Sequence, residues 1–213
     1  YMAKDISYEK DQTSFDFYID QKKMGRVKIQ LLGRHNVLNA LGAMTLACQL
    51  KIPVERIIKA IAKFEGVGRR IQTIYEKAGF KIIDDYGHHP TEVLTVLGTI
   101  RQLNPDKRLV VVFEPHRYSR TKSCWPEFQK CFDSADQLYL LPIYAASETP
   151  IEGITSESLA QEINLKKENF VTVLKSYDLL KDIVKENKDK NTIVIAMGAG
   201  SIGKKIREVV QDL

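Results

Sequence analysis

The chain has 213 residues, 44% of them hydrophobic, and a formal net charge of +5, which is apolar material for one large domain or a small domain with part of another. No apolar run approaches the roughly 18 residues of a membrane span, and Tyr1 to Asp5 form neither a basic nor an apolar leader, so a soluble, cytoplasmic protein is expected. The lysines alternate with acids, as in Lys185 to Lys190, which argues against a nucleic-acid stripe and leaves a surplus suited to small anionic ligands.

Residues 13–19 and 25–31 both alternate, with a polar turn from Asp20 to Lys23 between them, and this predicts a β-hairpin. Residues 36–50 and 54–64 repeat apolar side chains at helical spacing, with Pro53 suited to a first helical turn. From Ile71 the pattern changes. Strands of buried type are predicted over residues 80–84, 109–113, 137–141, 170–174 and 192–197, and amphipathic helices over 91–103, 126–132, 156–163, 177–186 and 202–210. Repeated β then α at this spacing predicts an α/β fold, a mostly parallel sheet with helices on both faces and ligands at the carboxyl ends of its strands. Residues 65–68, with two glycines, are the candidate linker. Cys48, Cys124 and Cys131 lie in helical stretches outside any C-x-x-C pair, as expected of incidental thiols in a reducing compartment.

All four histidines fall in loops beside predicted elements. The first cluster runs Gly33-Arg34-His35-Asn36-Val37-Leu38-Asn39-Ala40, where Asn36 and Asn39 share a helix face and can cap the helix or bond a ligand. The second, Asp84-Asp85-Tyr86-Gly87-His88-His89-Pro90-Thr91-Glu92, has paired acids suited to metal ligation or ribose hydroxyls. Its Pro90 and Glu92 read as structural, and its His-His pair lacks a third zinc ligand at a suitable spacing. The third, Glu114-Pro115-His116-Arg117-Tyr118-Ser119-Arg120, carries two arginines that can clamp a carboxylate or phosphate. The fourth, Gly198-Ala199-Gly200-Ser201-Ile202-Gly203-Lys204-Lys205, satisfies G-x-G-x-x-G and narrowly misses a Walker A motif, because Lys205 stands where Ser or Thr would bind magnesium. It reads as a glycine-rich turn whose N–H groups remain open to a ligand.

The strings G-R-H-N-V-x-N-A, F-x-G-V-x-R-R, D-D-Y-x-H-H-P-T-E, F-x-P-H-R-Y-S-R and M-G-A-G-x-I-G-K, in this order between Gly33 and Lys204, resemble the UDP-N-acetylmuramate:L-alanine ligases of the Mur ligase family. The resemblance implies a three-domain enzyme of peptidoglycan synthesis. Residues 1–66 would be the tail of its central P-loop ATPase domain, and residues 67–213 its C-terminal Rossmann-like domain. Its first domain and most of its second would lie outside this sequence and act as partners. Implied ligands are L-alanine, UDP-N-acetylmuramate, and ATP with Mg2+, the metal ligands and phosphate-binding lysine lying in the outside part; no nucleic acid or membrane is implied. In such an enzyme ATP phosphorylates the muramate carboxylate and the alanine amine attacks the acyl phosphate.

Carried onto matching positions, the resemblance gives His35, Asn36 and Asn39 to the adenine. Arg69 or Arg70, with Asp85, would face ribose and phosphates. His88, Arg117 and Arg120 would hold the alanine carboxylate as the catalytic set, supported by His89, His116 and Tyr144. All of this requires the loops starting near Asp85 and Glu114 to converge. Two positions depart from the family pattern: Ala146 replaces a glycine and Ser201 an aspartate. Without a P-loop the chain alone is expected to be inactive. A ligase recycling murein tripeptides and a non-catalytic nucleotide- or anion-binding module remain open as rivals.

Overall fold

The computed structural model describes residues 1–9 and 12–213. The chain forms two compact units, Tyr1–Val67 and Gly68–Leu213.

In the first unit, strands β1 (Met2–Tyr8), β2 (Thr13–Ile19) and β3 (Lys22–Ile29) form an antiparallel sheet with β2 in the centre. The hairpin turn is shorter than its polar stretch suggested: Asp20 and Gln21 both take positive φ, 46° and 65°, the two-residue turn whose twist matches paired strands. β3 therefore begins at Lys22, ahead of the expected residue 25. β1 was not anticipated, because MAKDISY mixes charge into its alternation and the strand sits at the sheet edge. Helices α1 (Arg34–Gln49) and α2 (Val54–Ala62) follow. Phe15, Phe17, Val27 and Ile29 point to one face because they lie two apart on their strands, and there they meet Val37, Met44 and Ile57.

The second unit consists of β4 (Gln72–Lys77), β5 (Phe80–Asp85), α3 (Pro90–Leu103), β6 (Arg108–Phe113), α4 (Tyr118–Ser123), α5 (Trp125–Phe128), β7 (Gln137–Leu140), α6 (Ser156–Asn164) and β8 (Val171–Val173). A 3-10 turn at Tyr177–Leu179 leads into α7 (Leu180–Glu186), then β9 (Thr192–Met197) and α8 (Ile202–Gln211). The six strands lie in the order β4-β5-β9-β6-β7-β8, all parallel except β4, which pairs antiparallel with β5. The last strand is inserted between β5 and β6.

This arrangement follows from period-two patterning on strands buried on both faces. Leu109, Val111 and Phe113 of β6, with Ile193, Ile195 and Met197 of β9, pack on one side beneath α3, α5 and α6. Val110, Val112, Val194 and Ala196 face the other side, under α7 and α8. Helices cover both faces as expected. Residues 126–132 do not form one helix; the chain turns through the polar α4 and the short α5, which ends at Phe128.

Candidate functional site

The backbone ladder of the large sheet continues past the strand ends and draws the loops together. Glu114 N–H donates to Met197 O at 2.9 Å, and Gly198 N–H to Asp85 O at 3.2 Å. Beyond β7, Tyr144 N–H donates to Pro115 O and Arg117 N–H donates to Tyr144 O, both at 2.8 Å. The ring of Tyr144 stacks on His116, with centroids 5.3 Å apart and planes 15° apart. His116 in turn lies 5.8 Å from His88. The loops starting near Asp85 and Glu114 therefore converge.

His88 and His89 enter α3, where Pro90 occupies a first-turn position. Glu92, read from sequence as structural, accepts the N–H of His88 at 3.0 Å and of His89 at 3.1 Å, and lies 3.6 Å from His88 Nδ1. Burial opposes ionisation of Glu92, but those N–H groups and the charges of His88 and Arg70 hold its carboxyl below the usual range. Glu92 thus orients His88, and its place in the first turn was the signal. His89 points elsewhere: its Nδ1 accepts Thr91 N–H, capping α3, and its Nε2 lies 3.6 Å from Cys124 Sγ. It supports the loop through the helix.

Arg117 caps the N-terminus of α4 with φ of 75° and is exposed. Arg120 donates through Nη1 to His116 O at 2.9 Å and approaches His116 Nδ1 at 3.2 Å. Among the described residues, Arg120 Nη2 and the whole Arg117 guanidinium have no hydrogen-bond or ion-pair partner in the molecule. These donors are available to an incoming anion. Burial, then Arg120, His88 and Arg117, push the His116 pKa below the ordinary imidazole value, which favours a neutral ring amid cations. Glu148 braces the same helix: it accepts Ser119 N–H at 3.0 Å and the Ser119 hydroxyl at 2.6 Å. Nothing in its sequence neighbourhood pointed to Glu148.

Two residues expected at the ribose or phosphates are bonded within the protein. Arg69 pairs through Nε with Asp84 at 3.2 Å and donates through Nη2 to Gly198 O at 2.6 Å, so two of its nitrogens are engaged within the protein. Asp85 is 1% exposed, and its oxygens accept N–H from Ile71 and Gly87, both at 2.7 Å. Burial raises its pKa despite those bonds, and the side chain shapes the loop. Asp84, fully buried, also pairs with Arg207 at 2.9 Å. Arg70 is exposed, its guanidinium 5.9 Å from the centre of the Tyr86 ring.

In the first unit, neither asparagine caps α1; Gly33 is the N-cap, with φ of 92°. Asn36 donates to Leu32 O at 2.8 Å, and Asn39 donates to Asn36 Oδ1 at 3.3 Å. Both border a mainly apolar cleft lined by Ile29, Leu31, Ala40 and Phe64. His35 is half-buried in the first turn of the same helix.

An open, mostly parallel sheet with helices on both faces, and with histidines and arginines gathered at its carboxyl edge, defines a Rossmann-like domain. Residues 69–200 match the family model described as Mur ligase, glutamate ligase domain, and residues 1–47 match the Mur ligase middle domain. The chain belongs to the Mur ligase family. It is 43% identical over 188 residues to the UDP-N-acetylmuramate--L-alanine ligase of Solidesulfovibrio magneticus, covering 88% of this chain and 41% of that protein. It is 41% identical over 211 residues to the enzyme of the same name from Trichlorobacter lovleyi, covering 99% and 46%. The chain therefore spans somewhat less than half the length of these curated relatives. The crystal structure of the UDP-N-acetylmuramate-alanine ligase of Thermotoga maritima shares the fold, with a TM-score of 0.82 at 23% identity over 99% of this chain and 45% of that one. A murein peptide ligase from Psychrobacter arcticus matches at a TM-score of 0.62 and 20% identity, over 98% and 43%.

Proposed function

We propose that this chain is the C-terminal part of an ATP-dependent ligase that joins L-alanine to UDP-N-acetylmuramate. In this reading residues 1–66 close the central ATP-binding domain and residues 67–213 form the amino-acid domain. The names of its 41–43% identical relatives support the reading. The observation that carries it is the meeting of His88 and His116 beside the free donors of Arg117 and Arg120.

A carboxylate is a poor electrophile, and ATP supplies the activation by making the muramate carboxyl an acyl phosphate. The alanine amine then attacks the carbonyl carbon: the C–N bond forms, the C–O bond to phosphate breaks, and the amine proton is lost. The domain contributes placement and charge. Arg117 and the open nitrogen of Arg120 seat the alanine carboxylate, with His88 alongside and Glu92 fixing His88. A neutral His116 adds no further positive charge to the arginines, whose charge Glu148 and the ligand carboxylate would balance. Asn36 and Asn39 offer amide groups beside apolar walls, a lining that fits a planar base.

The test is ADP release by the full-length protein given UDP-N-acetylmuramate, ATP and, in turn, alanine, glycine, serine or a murein tripeptide. Alanine is expected to support the fastest turnover and the 213-residue chain alone none. Turnover with tripeptide but not alanine would replace this reading with the recycling ligase.

A further inference from the structure

The glycine-rich turn Gly198 to Gly203 resembles a phosphate cradle, yet side chains of the protein itself already engage it. Ile202 N–H, at the start of α8, donates to Glu114 Oε2 at 3.1 Å. That carboxylate is fully buried, and its other oxygen accepts the Tyr177 hydroxyl. One N–H at the start of the helix is thus taken by an internal carboxyl group rather than left for a ligand. Gly200 lies against the same group: a Cβ there would stand 2.6 Å from Glu114 Oε2 and 2.6 Å from Tyr144 Cγ. Neither neighbour can give way cheaply. Glu114 is held at both oxygens, and Tyr144 is bound through its backbone to Pro115 and Arg117 while its ring stacks on His116.

The other end of the turn supports the second loop. A Cβ on Gly203 would collide with the Arg69 guanidinium. Arg69 donates to Gly198 O at 2.6 Å, and its own carbonyl accepts Tyr86 N–H at 2.7 Å, at the root of the His88 loop.

We propose that this turn is the common seat of the two loops carrying His88 and Arg117, with Gly200 a positioning residue that acts through Tyr144. The seating stands on geometry alone, whereas its consequence for alanine rests on the ligase reading above. A side chain at position 200 displaces the Tyr144 ring and loosens the backbone bonds that hold Arg117 at its positive φ.

Amide hydrogen exchange on the whole chain tests the seating without any assay of activity. Gly200→Ala is expected to speed exchange at Tyr144 and Arg117 by about tenfold or more, with core amides of β6 unchanged. In a Tyr144→Ala background the same substitution is expected to alter Arg117 exchange clearly less than it does in the parent, since the ring is gone and only the clash with Glu114 remains. Exchange within about twofold of the parent at both amides overturns the proposal. So does a shift of the Ile202 amide resonance on adding inorganic phosphate, the mark of a working cradle. Should Gly200→Ala fail to fold, Tyr144→Ala alone must speed Arg117 exchange, and an unchanged rate is equally fatal. In the full-length enzyme, Gly200→Ala is expected to raise KM for alanine about tenfold and that for ATP less than about twofold. A parent enzyme that does not use alanine defeats the ligase reading and leaves the exchange result standing.

Discussion

Arg207 on α8 lies 2.9 Å through Nη2 from Oδ2 of Asp84 on β5, a side chain with no solvent exposure. Arg69 holds the other oxygen at 3.2 Å. A buried carboxylate persists only when paired, and breaking such a set strands the remaining charges. Asp84→Asn keeps the shape and removes the charge. Arg69 and Arg207 retain 23% and 40% side-chain exposure, so water offsets part of the loss. The expected destabilisation is about 3 kcal/mol, read by denaturant unfolding through Trp125, the single tryptophan, which packs against the core of this unit. A variant as stable as the parent would show that the triad is dispensable.

Arg117 presents an unpaired guanidinium at the loop where the ligand carboxylate is proposed to sit. Losing one charge-assisted contact of about 1.5–3 kcal/mol corresponds to roughly a 10- to 150-fold weaker hold. Arg117→Ala in the full-length enzyme should therefore raise KM for alanine by that order and leave KM for ATP nearly unchanged. Equal losses for both substrates would remove Arg117 from the amino-acid site. Arg117→Lys should recover only part, because a point charge cannot reproduce the planar fork.

His116 gives the site a pH dependence with a definite sign. Burial and the neighbouring Arg120, His88 and Arg117 lower its folded pKa, so in acid the unfolded chain, with an ordinary imidazole, binds the proton more readily. Its contribution to stability is intact above about pH 6.5 and is lost as pH falls from there towards the folded pKa. Melting temperatures measured from about pH 7.5 to 5.5 should fall more steeply for the parent than for His116→Gln. Parallel curves would mean that His116 titrates normally.

Ala146 occupies the left-handed region at φ of 48°, where the family resemblance places glycine. A side chain there costs about 1–2 kcal/mol, against which glycine loses roughly 0.5–1 kcal/mol of chain entropy on folding. Ala146→Gly should therefore stabilise by up to about 1 kcal/mol and raise the melting temperature by roughly 2–4 °C or less. A lower melting temperature would show that the methyl group makes a compensating contact.

The alternating β and α patterns of the second unit were legible in the sequence because its central strands are buried on both faces and read as unbroken apolar runs. Edge elements were not. β4 pairs on one side only and carries the half-exposed sequence QTIYEK, and α4, YSRTKS, has a single buried residue, Thr121, and hence no apolar period. The site was legible to a similar degree: histidines and arginines clustered at strand ends stood out as residue types, but their partners did not.

Local sequence determined which side chains reach the carboxyl edge, since helix and strand periods and strand-end loops depend on near neighbours. Only the tertiary structure decided what each one does there. Arg69 and Arg117 are alike in type and in loop context, yet one is bonded to Asp84 and Gly198, while the other faces solvent. That choice depends on β9 inserting between β5 and β6, pairings between segments far apart in the chain whose hydrogen bonds and burial exist only once the sheet has formed.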